Sequence, residues 1–134
     1  MKKFLVILLL IFIASGIAVA YAPSLRIWNT DFDCDEDFLN GGYDRCSLNV
    51  GLSIDDYNYS SQYDNYTYVV ECNATFDYWD AELGLFKRND ESGFISIYGT
   101  NNSSTLELET DFSMLEKVYK VNVSNLSCRV KDVY

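Results

Sequence analysis

Two stretches of the chain alternate apolar and polar residues with a period of two. In the first, Cys46 to Ile54, the even positions are apolar and the odd positions are polar or small. In the second, Tyr66 to Tyr78, the even positions are again apolar or aromatic and the odd positions are mostly polar. Residues two apart point to the same side of a strand, so both stretches predict strands with one buried face.

The rest of the chain also indicates strands rather than helices. Four shorter runs rich in apolar residues predict further strands, at 83–86, 94–98, 106–109 and 119–130. Within the last run the apolar positions change parity near Ser124 and Asn125, which predicts a β-bulge. Turn-forming residues separate the runs, at 40–42, 55–64, 89–93 and 99–104. This pattern predicts an all-β fold, a small antiparallel β-sandwich of immunoglobulin-like architecture.

The first twenty residues have the layout of a secretory signal. Two lysines precede the unbroken apolar run Phe4–Ala14, and small residues end the segment at Ala20. We expect a hydrophobic helix here, cleaved after Ala20 as a signal peptide. The alternative is an uncleaved signal anchor, because Phe4–Ala22 as a helix would be about 28 Å long, enough to cross a bilayer. Both alternatives place 21–134 outside the cytoplasm as one extracellular domain.

The four cysteines are Cys34, Cys46, Cys72 and Cys128. An even number in an exported chain of this size predicts two disulfides, and the absence of a CxxC pair argues against a zinc site. Three pairings are possible in principle. We expect Cys72–Cys128 to cross the core, because both lie on predicted inward faces, and Cys34–Cys46 to close an acidic loop.

Asn-x-Ser/Thr motifs are in clear excess over the roughly 1.5 expected by chance for 11 asparagines. In an exported chain we expect these to be acceptor sites for N-glycans. The alternative is an asparagine- and serine-rich surface whose motifs are accidental. The candidate glycosylation sites are Asn58, Asn65, Asn73, Asn101, Asn102, Asn122 and Asn125.

The composition argues against several classes of function. The chain has no histidine, which excludes histidine-dependent triads and histidine-ligated metals. Its 10 basic and 20 acidic residues argue against a nucleic-acid partner, because binding phosphate requires lysine and arginine. Asp77, Asp80 and Glu82 surround Trp79, as carboxylates do at sugar-cleaving sites, but nothing in the sequence indicates a cleft. We therefore expect no enzymatic activity.

One acidic stretch is a candidate calcium site. Its alternating carboxylates are Asp31, Asp33, Asp35 and Asp37. Oxygen ligands at this spacing suit Ca²⁺, yet the EF-hand pattern fails because Phe38 stands where glycine is required. The alternative is a solvated acidic loop, with no cofactor bound.

The tyrosine-rich segment 55–68 is a candidate binding surface for a carbohydrate or a protein. Its binding residues would be Tyr57, Tyr59 and Tyr63, since tyrosine combines an apolar ring with a hydrogen-bonding hydroxyl. The alternative is that Tyr66 and Tyr68 pack in the core and the other tyrosines in a folded loop.

Together these features predict a secreted or surface-displayed glycoprotein domain with a structural or adhesive, non-catalytic role. One alternative is a carbohydrate- or protein-binding module that uses segment 55–68. Another is a subunit of an extracellular assembly, in which Tyr21–Thr30 forms an arm that adds to a neighbour's sheet edge. The expected partner is an extracellular protein or glycan, with membrane contact only through the N-terminal segment.

Overall fold

The computed structural model describes residues 23–37, 39, 41–56 and 63–134. The predicted N-terminal helix lies outside these residues. The described part is all-β, with six strands: β1 (Ser24–Glu36), β2 (Tyr43–Asp55), β3 (Thr67–Asp80), β4 (Leu85–Tyr98), β5 (Asn102–Asp111) and β6 (Val118–Val133).

All strand pairs are antiparallel, and they connect the six strands into one hydrogen-bonded sheet. β2 lies between β1 and β5, and β3 lies between β4 and β6. We call these groups the β1–β2–β5 half and the β4–β3–β6 half. The pair Tyr43–Val118 joins the two halves.

The alternation predicted for the two central strands is confirmed in β3 and in the first part of β2, whereas Gly51 and Ser53 on the predicted outward face of β2 are also buried. In β2 the even residues from Cys46 to Ile54 are buried, and in β3 the even residues from Tyr68 to Tyr78 are buried. Tyr66 is an exception to the prediction, because it precedes β3 and is 43% exposed. Burying each large apolar side chain contributes about 1.5–3 kcal/mol, so these inward faces supply most of the driving force for folding.

Side chains of one half contact those of the other. The rings of Phe32 in β1 and Phe76 in β3 have centroids 6.3 Å apart. On β4, a Cβ added to Gly93 would lie 3.0 Å from Leu108 of β5. Apolar residues from both halves thus form one core cluster.

The predicted bulge in the last strand is confirmed. Thr75 pairs with Asn125 and Phe76 pairs with Val123, so Ser124 is the extra residue of β6. The bulge returns the following apolar side chains to the core side of the strand, and Cys128 is buried.

The predicted turn at 89–93 is wrong. These polar residues lie inside β4, which joins the predicted strand at 94–98 to Leu85 and Phe86 of the one predicted at 83–86, while Leu83 and Gly84 lie in the preceding turn. β4 pairs with β3 without interruption from Leu85 to Tyr98. The Thr75 hydroxyl donates a 2.7 Å hydrogen bond to Asp90 across this ladder. Backbone pairing with a central strand therefore outweighs the local turn preference.

The predicted arm and acidic loop are also wrong for the described residues. From Ser24 onward the segment belongs to β1, which pairs with β2 of the same molecule, and Tyr21 lies outside the described residues. Cys34 is in the same strand, not in a loop. β1 pairs with one strand among the described residues and exposes most of its length, so its side chains are largely polar and carry little strand signal.

Both predicted disulfides are present, Cys34–Cys46 and Cys72–Cys128. Each joins residues that are directly opposite in a strand pair. The second bridge therefore links neighbouring strands β3 and β6, rather than crossing the core as we expected.

Candidate functional site

Three turns lie together at one end of the molecule. They connect β1 to β2, β3 to β4 and β5 to β6. Val118, the first residue of β6, pairs with Asp80 at the end of β3 and with Tyr43 at the start of β2, so the three turns meet there. A Cβ on Gly42 of the first turn would meet Val118, and the Ala81 amide of the second donates a 2.8 Å hydrogen bond to the Lys117 carbonyl of the third.

Each of these turns exposes large apolar side chains. We call this group the apolar tip: Leu39, Leu83, Leu85, Phe86, Met114 and Leu115. Their exposed fractions range from 44% to 95%. These side chains lie on adjoining turns and strand ends at one end of the molecule. Exposed apolar surface concentrated in one region is typical of interaction sites, whereas single exposed residues are ordinary.

The opposite end of the molecule carries both ends of the described chain. Ser24 pairs with Asp55 there, and Tyr134 exchanges two backbone hydrogen bonds of 2.9 Å with Thr67. Strands of 13 to 16 residues separate the two ends, a distance of roughly 40 Å. The apolar tip is therefore remote from the point at which the N-terminal segment joins the domain.

A buried carboxylate holds two of the turns in place. Asp80 has no exposed surface and accepts hydrogen bonds from the backbone amides of Glu82 (3.0 Å) and Lys117 (3.3 Å). Burial opposes the charge on Asp80, but these amides and the Lys87 ammonium outweigh it, so its pKa lies below the ordinary value. The carboxylate thus stays ionised and fastens the β3–β4 and β5–β6 turns to each other.

Lys87 and Glu116 extend this network. The Lys87 ammonium lies 3.4 Å from Asp80 and 2.9 Å from Glu116, and the Tyr78 hydroxyl donates a 2.8 Å hydrogen bond to Glu116. Burial disfavours the charged form of Glu116, yet Lys87 and Tyr78 together hold the pKa of this carboxyl below its usual range. Burial raises the pKa of Tyr78 to about 12, and the hydrogen bond to Glu116 adds to the effect.

The carboxylates around Trp79 do not converge on a reaction centre. Asp77 and Asp80 lie at positions of opposite parity in β3, so they point to opposite sides of the strand. A general acid at neutral pH needs a raised carboxyl pKa. Hydrogen bonds from Ser124 and Arg88 instead lower the pKa of Asp77, and the pKa of Asp80 is lowered as well. Trp79 itself packs edge-on against Phe86.

The candidate calcium ligands lie along an exposed strand edge. Asp31, Asp33 and Asp35 alternate on β1, where residues two apart are about 6.6 Å from each other. Asp35 pairs with Arg45 at 3.1 Å, and Asp37 accepts a hydrogen bond from the Leu39 amide. Among the described residues no group of three or more acidic, cysteine or histidine side chains is placed to hold a metal ion. An extended strand thus spreads these carboxylates instead of gathering them.

The tyrosine-rich segment is described only in part. Tyr57 and Tyr59 lie outside the described residues. Tyr63 is 5% exposed, and its carbonyl accepts a 3.2 Å hydrogen bond from the hydroxyl of buried Tyr68. Tyr63 therefore packs against the domain and does not line an exposed surface.

Six candidate glycosylation sites are exposed: Asn65, Asn73, Asn101, Asn102, Asn122 and Asn125. The seventh, Asn58, lies outside the described residues. The side-chain amides of Asn101 and Asn102 form hydrogen bonds at the β4–β5 connection. Asn101 accepts one from the Asp56 backbone amide and donates one to the Asp56 carbonyl, and Asn102 donates to the Tyr98 carbonyl.

An apolar cleft opens between β1 and β6. It has a volume of about 360 Å³ and is lined by Thr30, Phe32, Leu48, Val121, Asn122, Val123 and Leu126. Phe32 is 39% exposed, so part of the core side of β1 is open to solvent here.

Sequence reasoning missed both the apolar tip and the cleft. The residues of the tip are far apart in the chain, and the apolar run Leu83–Phe86 predicts a strand and not a turn. The available signal is the occurrence of Leu39 and of Met114 beside Leu115 in segments that otherwise carry turn-forming or charged residues and single phenylalanines.

Comparison with known proteins adds no relative. No family model, no curated protein and no solved structure matches the chain. Within the described residues, no helix has the length and hydropathy needed to cross a membrane.

Proposed function

We propose that the chain is an exported, glycosylated, non-catalytic domain with a structural or adhesive role, and that its apolar tip contacts another extracellular protein. The observation that carries the proposal is the exposure of apolar side chains on adjoining turns, at the end opposite both described chain ends. If the N-terminal segment is retained as an anchor, it joins the domain at that opposite end, and the tip points away from the membrane.

Export is supported by the sequence and by the cysteines. The segment 1–20 has the layout of a secretory signal, and all four cysteines are paired. Disulfides form and persist in oxidising, extracytoplasmic environments. The same environment makes the exposed Asn-x-Ser/Thr motifs available as glycosylation sites.

We further propose that the two halves pack face to face as a β-sandwich of immunoglobulin-like architecture. The contacts of Phe32 with Phe76 and of Gly93 with Leu108 support this arrangement, since each joins a residue of one half to a residue of the other. A hydrogen bond of 2.9 Å from Asn89 to Thr110 connects the halves along the β4 and β5 edges. Such a layered core is a rigid support for the turns at its end.

The chemistry of the tip favours a protein partner over a glycan. Leucine, methionine and phenylalanine side chains offer no hydrogen-bonding groups to sugar hydroxyls, whereas they fill apolar pockets well. Lys87 lies beside Glu116 and Lys117 beside Glu82, so two of the carboxylates at the tip are paired with a positive charge. The rest of the acidic domain favours solubility.

The test is adhesion of cells that display the full chain. We expect the double substitution Met114→Glu and Leu115→Glu to reduce cell retention on a layer of unmodified cells about tenfold, since apolar anchors each contribute more than about 1 kcal/mol. Both side chains are more than four-fifths exposed, so the variant should fold.

The matched control is Tyr98→Glu, which adds a charge at a residue that is 62% exposed at the opposite end. It should leave retention unchanged at equal surface display. Undiminished retention by the double variant, or an equal loss in the control, would contradict the role of the tip.

A further inference from the structure

In the cleft between β1 and β6, solvent reaches both the apolar core surface and the edges of the two strands. Within the described residues β1 pairs only with β2, and β6 pairs with β3 and, at Val118, with β2. Along the cleft neither strand therefore has a partner on its outer edge. Exposed edges beside apolar surface are sites of aggregation unless something covers or interrupts them.

One residue that lines the cleft carries a glycosylation motif. Asn122 is exposed, whereas its neighbours Val121 and Val123 are half-buried against the core. The motif is completed by Ser124, the extra residue of the β6 bulge. Asn122 alternates with these valines, so its side chain leaves the opposite side of β6, and a sugar chain attached there reaches the cleft by bending over the free edge of the strand.

We propose that an N-glycan on Asn122 covers this cleft and shields the two strand edges. The inference rests on the proposed export and glycosylation of the chain. The donor is a lipid-linked oligosaccharide phosphate. Its C1–O bond to phosphate breaks, a C1–Nδ2 bond to Asn122 forms, and the amide proton leaves with the phosphate. The sugar chain then passes over the free edge of β6 and presents apolar C–H faces of its rings to Phe32 and to the valines.

The structure favours this occupant over a second copy of the chain. An antiparallel pair of β1 edges would bring Asp31, Asp33 and Asp35 of two copies next to one another, and like charges in paired strands are destabilising. On the other edge, the bulge at Ser124 interrupts the regular ladder that an added strand requires.

The experiment uses the full chain produced in a host that attaches N-glycans, with site occupancy measured by peptide mass. We compare Asn122→Gln and Ser124→Ala, which remove the motif in two ways, with Ser124→Thr, which retains it. The matched control is Asn73→Gln, which removes a motif from an exposed position of β3 that does not line the cleft. The readouts are fluorescence of an apolar dye and sedimentation.

We expect Asn122 to be occupied. Both motif-removing variants should raise dye fluorescence about twofold or more and self-associate, while Ser124→Thr and Asn73→Gln behave as the parent protein. A bare Asn122 with occupied Asn73 would overturn this inference and leave the proposed function intact. An occupied Asn122 whose removal changes neither readout would also overturn it. Absence of glycan at every motif would instead contradict the proposed glycosylation itself.

Discussion

At the scale of single residues, the polar groups inside the domain do specific structural work. The inward series of β3 continues the apolar pattern until Tyr78 and Asp80, whose polar atoms need partners once they are buried. Tyr78 donates its hydroxyl proton to Glu116, and Asp80 accepts backbone amides from the two adjoining turns. Polar residues at these two positions thus connect the core to the apolar tip.

We predict that Tyr78→Phe lowers the free energy of unfolding by about 1–2 kcal/mol near neutral pH, because a hydrogen bond to a charged group is lost. The folded pKa of Tyr78 is raised from 10.0 to about 12, so its stabilising contribution is complete below 10.0 and is lost as pH rises through about 12. Urea unfolding of both proteins across this window should therefore show the difference between them shrinking. A difference in unfolding free energy that stays constant with pH would contradict a raised pKa of Tyr78 in the folded protein.

At the scale of elements, the turns at the tip depend on glycines that adopt left-handed backbone conformations. Gly42 has φ +81° and its missing Cβ would lie 2.5 Å from the Val118 carbonyl oxygen. Gly84 has φ +66°, but a Cβ there would meet nothing within 4 Å. The first glycine is required for conformation and for close packing of the β1–β2 turn on β6, and the second for conformation alone.

Alanine substitution at these two glycines separates the two requirements. We expect Gly84→Ala to cost about 1 kcal/mol, the usual cost of placing a Cβ in the left-handed region. Gly42→Ala should cost more than about 2 kcal/mol, because the turn must also move away from β6. Denaturant midpoints measured under identical conditions give the comparison. Equal costs would mean that the close approach of the turn to β6 is unimportant.

At the scale of the whole molecule, each disulfide stabilises one half of the fold. Cys34–Cys46 connects β1 to β2 over a sequence separation of 12, and Cys72–Cys128 connects β3 to β6 over 56. Neither bridge crosses between halves, which are joined by the Tyr43–Val118 pair and by core side chains. The longer loop restricts the unfolded chain more, so its bridge should contribute more to stability.

We predict that replacing Cys72 and Cys128 by alanine lowers the free energy of unfolding by about 4 kcal/mol, and replacing Cys34 and Cys46 by about 3 kcal/mol. The burial of Cys72 and Cys128 adds to the difference, since Cys34 is partly exposed. Guanidinium unfolding of the two double variants measures both effects. A larger loss from the Cys34–Cys46 pair would contradict the chain-entropy explanation.

The sequence by itself determined the elements whose signal is local. The inward faces of β2 and β3 and the bulge at Ser124 follow from the parity of apolar residues along a strand, because alternate side chains must face the same side. Parity also places Cys46, Cys72 and Cys128 inward, but their pairing follows from which strands are neighbours. In these segments no distant contact opposes the local pattern.

Only the tertiary structure decided the features that depend on distant partners. β4 runs through polar residues because β3 supplies its hydrogen bonds, and Ser24–Glu36 is a strand because β2 lies beside it. The apolar tip and the cleft arise from turns and edges that are far apart in the chain, so no single segment carries their signal. Backbone pairing and close packing are non-local interactions, and that is why the candidate sites emerged only from the folded chain.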